Sequence, residues 1–427
     1  MKSLFFFGKN GIEVEVPQKF DCHELRSRKT VAVDDETTAV NEALDHPIAS
    51  QPLLELARGK KTAAISVCDI TRPAPNRVTL PPLLARLETA GIVRDNIRIL
   101  IATGLHRAAT AEEINRIVGS EIASTYAILN HDARDFSAHR SIGTTRRGTP
   151  VYVDERFVSA DLHITLGFIE QHLMLGFSGG RKLIVPGLAA QETIKVIHSP
   201  KFIREPLATE GSIEGNPLHE ELLECARMVR HDFIVDVALT QERKIAGVFA
   251  GDPVKAHSAG VEFVRRACLE EIDEPADVVI TSAAGFPLDL TFYQSVKGIT
   301  AATHLAKPGG RILLVAACSE GIGSTEFAGM IREMGNFSDY LDEVRDLPVD
   351  VDRWQVEKLA LAGVQNELYF YAPGVTKGEL GQLGAKTLDS LAEAVAAVLR
   401  GLPSGARVVL VPEGPYTFAR ASSTATA

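Results

Sequence analysis

The sequence predicts an α/β protein of two domains, each built on a mostly parallel sheet, and three observations lead there. The chain has 427 residues, too many for one ordinary core. Short β-branched apolar runs alternate with amphipathic helical runs along most of that length. The alternation breaks at the acidic stretch Glu270, Glu271, Asp273, Glu274 and Pro275. The expected domains are therefore 1–270 and 276–427.

The opening Met1–Gly8 holds an apolar run of four residues and is expected as a first strand. A signal peptide needs a longer run, and a membrane helix needs about 20 residues. Thr62–Val67, Asn96–Ala102 and Asp161–Leu166 are β-branched and apolar, as buried strands are. Between them, Val78–Ala90 and Ala111–Val118 have helical spacing, and Thr110-Ala-Glu-Glu113 is a capping-box signature. Asn216-Pro217 offers a cap and a first-turn proline to the helix His219–Val229. Pro253–Cys268 is expected as the helix that closes the first domain.

In the second domain, Asp277–Ser282 is expected as a strand and Phe292–Ala306 as a helix. Lys307-Pro-Gly-Gly310 then reads as a turn and Arg311–Ala316 as a strand. Such a β-α-β unit implies parallel pairing. Glu367–Tyr371 and Ala406–Val411 add strands and Thr387–Arg400 a helix, while the Ser/Thr/Ala-rich end Arg420–Ala427 is expected to fray.

Composition narrows the function. A hydrophobic content of 45% with 23% charged residues belongs to a folded protein, and a formal charge of −10 disfavours nucleic-acid partners. The five cysteines are widely spaced with no Cys-x-x-Cys pair, so neither a disulfide framework nor a thiolate zinc site is expected. A cytoplasmic protein with no membrane association follows.

Ionisable groups recur just after the expected strands. Asp69-Ile70-Thr71-Arg72-Pro73 follows the first, Thr103-Gly104-Leu105-His106-Arg107 the second, and His172 the third. Open α/β sheets bind ligands at the carboxyl ends of their strands, so these groups point to one crevice. Taken singly, each has a plainer reading as a turn-closing ion pair or a loop histidine. Gly176-Phe177-Ser178-Gly179-Gly180-Arg181-Lys182 comes next, with His198 beyond it. It resembles a phosphate loop but fails the pattern, because Arg181 replaces the second glycine and Leu183 the hydroxyl residue. No Gly-x-Gly-x-x-Gly follows any expected strand, which disfavours ordinary NAD binding. His172 and His198 lack the close spacing of a protein metal cage, although one histidine could complete a metal carried by something else. Gln294 and Lys297, three apart on one helix face, suit a carboxylate or simply solvent.

Asp69-Ile-Thr-Arg-Pro73, Thr103-Gly-Leu-His-Arg107, His172 with Ser178-Gly-Gly-Arg-Lys182, His198, and Tyr293-Gln-Ser-Val-Lys297 occur in one order. Together they resemble the nickel-pincer-nucleotide-dependent lactate racemases, from about residue 10 to about residue 415. The resemblance implies two α/β domains with the site between them. It also implies racemisation or epimerisation of a small-molecule 2-hydroxycarboxylate, and partners that make the cofactor. That cofactor is nickel held by pyridinium-3,5-bisthiocarboxylic acid mononucleotide, the nickel-pincer nucleotide. By the same resemblance Lys182 is the tether, His198 the nickel ligand, and His106 and His172 the acid–base pair. Asp69, Thr71, Arg72, Ser178, Gly179 and Gly180 fall to the cofactor, and Arg72, Tyr293, Gln294, Lys297 and Trp354 to the substrate. Arg181 stands where a small residue is expected, free to reach the cofactor phosphate or solvent. Leu105 stands where a threonine is expected, next to His106. Two other readings remain: an NAD-dependent 2-hydroxyacid dehydrogenase, or a non-catalytic cofactor-binding homologue.

Overall fold

The computed structural model describes residues 1–422. The chain forms two compact units, Lys29–Ala267 and Met1–Arg28 with the chain from Cys268 onward. The first unit is built on a six-stranded sheet. From edge to edge its strands are Ile245–Gly251, Phe233–Leu239, Leu162–Phe168, Ala63–Cys68, Ile97–Ala102 and Ala127–Asn130. All neighbours are parallel except Ile245–Gly251, which turns back on Phe233–Leu239.

Strands covered on both faces need continuous apolar runs, and every residue of Ala63–Cys68 and Leu162–Phe168 is buried. The chain starts at the centre with Ala63–Cys68, builds outward to Ala127–Asn130, and re-enters on the other side at Leu162–Phe168. The loops after Cys68 and Phe168 therefore leave in opposite senses, and this doubly wound order places a switch point between them. Flanking helices start where their caps direct. Thr110 Oγ1 accepts from the Glu113 N–H while the Glu113 carboxylate accepts from the Thr110 N–H, and Asn216 Oδ1 accepts from Leu218 and His219.

The second unit is built on a five-stranded parallel sheet, ordered Glu367–Tyr371, Ala306–Val315, Ala276–Ser282, Arg407–Val411 and Asp21–Glu24. Residues 1–28 thus fold with this sheet, whereas the sequence reading grouped them within 1–270. The physical reason is burial: Phe5, Val14, Val16 and Phe20 share a core with Val278, Ile280, Leu313 and Leu410.

Two further expectations change. Lys307–Gly310 lies inside the strand Ala306–Val315, where a register shift beside Ala276 absorbs the extra residues. Arg420 and Ala421, expected to fray, belong to the strand Ala419–Ala421, which pairs in parallel with Glu270–Ile272, and Ala421 is fully buried. The remaining 423–427 of that tail lie outside the described residues. Among the described residues no helix is long and apolar enough to cross a membrane.

Candidate active site

Asp69 follows Cys68 at the switch point and is 6% exposed. Its Oδ2 lies 2.8 Å from His106 Nδ1, and its Oδ1 accepts from Thr71 Oγ1 at 2.7 Å. Burial opposes ionisation of Asp69, yet the bonds to His106 and Thr71 and the Arg72 cation hold it below the usual carboxylate range. An ionised carboxylate can only accept, so in the neutral ring the His106 proton sits on Nδ1 and the lone pair on Nε2. Both Asp69 oxygens are thereby engaged within the protein. Arg72 makes only long contacts of 3.4 Å to Thr71, and no carboxylate lies within ion-pair distance of it among the described residues.

The loop bearing His106 is anchored at several points. Gly104 N–H donates to Gly187 O at 3.0 Å and Thr103 Oγ1 to His131 O at 2.8 Å, while Arg134 Nη1 donates to the carbonyl of Leu105 at 3.0 Å. His172 rides on a small hairpin, Gln171–His172 against Gly176–Phe177. Its Nδ1 accepts from the Met174 and Leu175 N–H groups, each at 3.3 Å, so in the neutral ring the proton sits on Nε2. The two histidines hold opposite tautomers.

The hairpin runs straight into the lysine turn, a 3-10 turn over Gly180–Leu183. Gly179 has φ 87° and Gly180 φ 47°, a left-handed pair that only glycine adopts at low cost. A Cβ at Gly179 would lie 2.6 Å from Asp236 Oδ2. The Ser178 hydroxyl donates to Phe168 O at 2.8 Å and accepts from Glu170 N–H at 3.0 Å. Ser178 and the two glycines therefore pack inward and shape the turn. Arg181, expected at a phosphate or in solvent, instead points inward and is 2% exposed.

His198 is the residue that ends the helix Gln191–Ile197. Its Nδ1 donates to Ile194 O at 2.8 Å, which leaves the lone pair on Nε2, the arrangement of a metal-ligating imidazole. Burial pushes the ring down to about 4, partly offset by that carbonyl and reinforced by the Lys182 cation. The thiol of Cys68 lies in the same electrostatic neighbourhood, pushed up to about 12 by burial and influenced by Arg72, Asp69, Asp236 and Lys182. The structure thus brings Asp69, Thr71, Arg72, His106, Lys182 and His198 to one end of one sheet.

The donor set suits the nickel-pincer nucleotide. Among the described residues no three His, Cys, Asp or Glu side chains converge as a metal cage. A metal held by a single neutral imidazole must arrive with most of its ligands already attached, which a pincer provides.

Tyr293, Gln294 and Lys297 belong to the other unit, on the helix Phe292–Thr303 capped by Thr291. Burial raises the Tyr293 phenol, and Asp352 adds to the shift while Trp354 opposes it, which places Trp354 beside the phenol. Gln294 Oε1 is buried without a hydrogen-bond partner. Sequence reasoning missed Asp236 and His257, which pack behind the lysine turn. The signal for Asp236 was present, as the lone charge inside the apolar strand Phe233–Leu239.

Residues 7–211 match the family model of the lactate racemase N-terminal domain, and residues 272–417 that of the lactate racemase C-terminal domain. A lactate racemase of Thermoanaerobacterium thermosaccharolyticum is 33% identical over 419 residues, covering 97% of this chain and 98% of that protein. One from Lactiplantibacillus plantarum is 35% identical over 384 residues, covering 89% and 90%. The structure of the lactate racemase apoprotein from T. thermosaccharolyticum matches with a TM-score of 0.88 at 32% identity, over 98% of this chain and 100% of that one. A Thermotoga maritima protein shares the fold alone, with a TM-score of 0.65 at 17% identity over 92% of this chain.

Proposed function

Since the chain belongs to the lactate racemase family, a family of isomerases, we propose that it inverts the carbinol centre of lactate or a closely related 2-hydroxycarboxylate. A 2-hydroxy acid is already an anion. Removing its Cα proton would load a second negative charge onto adjacent atoms, whereas moving hydride while a base takes the hydroxyl proton avoids the dianion. When bound, the nickel-pincer nucleotide supplies an acceptor that can take a hydride and return it. Lys182 would carry its tether and His198 Nε2 would meet the nickel.

The chain's own residues do the rest. His106 Nε2 takes the hydroxyl proton, and Asp69 steadies the positive ring that results. His172 is the second proton carrier: as an imidazolium it gives its Nε2 proton to the carbonyl oxygen and returns to the neutral ring, while His106 keeps the proton it took. Arg72, with no ion pair among the described residues, holds the carboxylate. By the resemblance alone, Gln294 and Lys297 would offer the substrate polar partners and Tyr293 and Trp354 apolar ones. Ser178, Gly179 and Gly180 fix the turn that presents Lys182. Cofactor-making proteins supply the nucleotide, and the five free cysteines favour a cytoplasmic location.

The observation that carries this reading is the Asp69–His106 hydrogen bond, at the same end of the sheet as Lys182 and His198. The turn after Cys68 counts against the dehydrogenase reading, because it has Pro73 and Pro75 where a dinucleotide turn has glycines. Full chain produced with the cofactor-making proteins is expected to carry added mass on Lys182, absent from Lys182→Ala, and to interconvert L- and D-lactate. No added mass, and no turnover of a panel of chiral 2-hydroxy acids, overturns the reading.

A further inference from the structure

We propose that Arg181 is a positioning residue whose buried guanidinium joins the hairpin carrying His172 to the turn carrying Lys182. The fork reaches carbonyls on both segments. Nη2 donates to Leu175 O at 3.2 Å and Phe177 O at 3.0 Å, while Nη1 donates to Gly179 O at 3.3 Å and Ser178 O at 3.5 Å. His257 Nε2 stands 2.8 Å from Nη1 and 2.8 Å from the Ser178 oxygen, so it either accepts from the fork or donates to the same carbonyl, and flanks the fork from the side. Leu175 is the link to the histidine, since its carbonyl binds Arg181 and its N–H binds His172 Nδ1. One side chain therefore sets both the tautomer of His172 and the path of the chain into Lys182.

The surroundings fit a built device. The guanidinium is 2% exposed, and the carboxyl of Asp236, fully buried on the strand Phe233–Leu239, lies within its electrostatic reach. The carboxyl is lodged against two glycines. A Cβ at Gly167 would lie 2.8 Å from Oδ1, and one at Gly179 would lie 2.6 Å from Oδ2. Lysine at position 181 would keep the charge but lose the planar fork that spans two rows of carbonyls.

The proposal rests on the racemase reading for its link to catalysis, but its first test does not. Hydrogen exchange of the full chain without cofactor is compared between wild type and Arg181→Lys. Peptides covering 171–182 are expected to exchange at least about tenfold faster, with the strands Ala63–Cys68 and Ile97–Ala102 unchanged. Unchanged exchange, or acceleration spread evenly over the sheet, overturns the proposal. If Arg181→Lys lowers the melting temperature, His257→Gln removes only the flanking imidazole and is judged by the same regional criterion. In the loaded enzyme Arg181→Lys is expected to lower kcat about tenfold or more while the KM for lactate changes less than about threefold. A rise in KM at unchanged kcat also overturns it. A wild-type chain that never racemises sinks the racemase reading and leaves the exchange result standing.

Discussion

Asp69 Oδ2 and His106 Nδ1 lie 2.8 Å apart, although 37 residues separate them in sequence. The bond joins the loops after two adjacent parallel strands, Ala63–Cys68 and Ile97–Ala102. It fixes which ring nitrogen of His106 holds a proton. Asp69→Asn keeps the shape but lets an amide N–H face Nδ1, which favours the other tautomer. Racemisation kcat is expected to fall about 10²–10⁴-fold with the added mass on Lys182 retained. Steady-state kinetics with intact-mass analysis of the same sample checks both.

The same carboxylate makes a stability prediction with a defined sign. Its folded-state titration lies below the unfolded value, so its contribution is present above the usual carboxylate range and disappears as pH falls through the depressed folded value. The stability difference between wild type and Asp69→Asn should therefore shrink steadily below about pH 4. Urea titrations at stepped pH measure it.

Asp236 should show the opposite sign. Burial pushes its carboxyl up to about 7, against the pull of the Gly180 N–H and Arg181. The protonated form is the one the folded chain tolerates, so stability is lost as pH rises from the ordinary carboxylate range through about 7. Relative to wild type, Asp236→Asn is expected to gain on the order of 2–4 kcal/mol between pH 4 and pH 8. A flat difference across that interval would contradict the assignment.

Gly179→Ala combines a left-handed backbone with a Cβ 2.6 Å from Asp236 Oδ2, and is expected to cost about 2–4 kcal/mol. Gly59→Ala shares the left-handed φ, 76°, but meets nothing within 4 Å, so about 1 kcal/mol is expected there. Adding Asp236→Ala should relieve part of the first cost and none of the second, which a double-mutant cycle resolves.

Arg72→Met should raise the KM for lactate about tenfold or more, the effect of losing a charge-assisted carboxylate contact. The adduct on Lys182 is expected to persist, so binding of substrate and of cofactor separate in one variant.

Much of this was legible because it is local. A capping box lies within four residues, as at Thr110–Glu113, and a buried parallel strand declares itself by an unbroken apolar run, as at Leu162–Phe168. The carboxyl-end rule then gathered Asp69, Arg72 and His106 from sequence alone. What escaped is set by long-range pairing. Asp21–Glu24 is four residues of mixed polarity with no periodic signal, and it becomes a strand only because Arg407–Val411 has an open edge. Arg181 was misplaced because arginine prefers the surface. Its burial answers a need invisible in sequence, the carbonyls of a tight glycine turn that no regular element satisfies.

The edge strand Asp21–Glu24 also bears on how the protein is made. Lys19 accepts a hydrogen bond from Ser404, 385 positions later. Lys29–Ala267 can close its own sheet as it leaves the ribosome, but the first 28 residues must wait for the last strand of theirs. At ~5–20 residues per second that wait is about 20–80 s. During it Phe5, Val14 and Phe20, all destined for the interior, remain exposed, and a chain cut short before Val411 keeps them so. Shortening the N-terminus would therefore injure the unit encoded at the far end of the message.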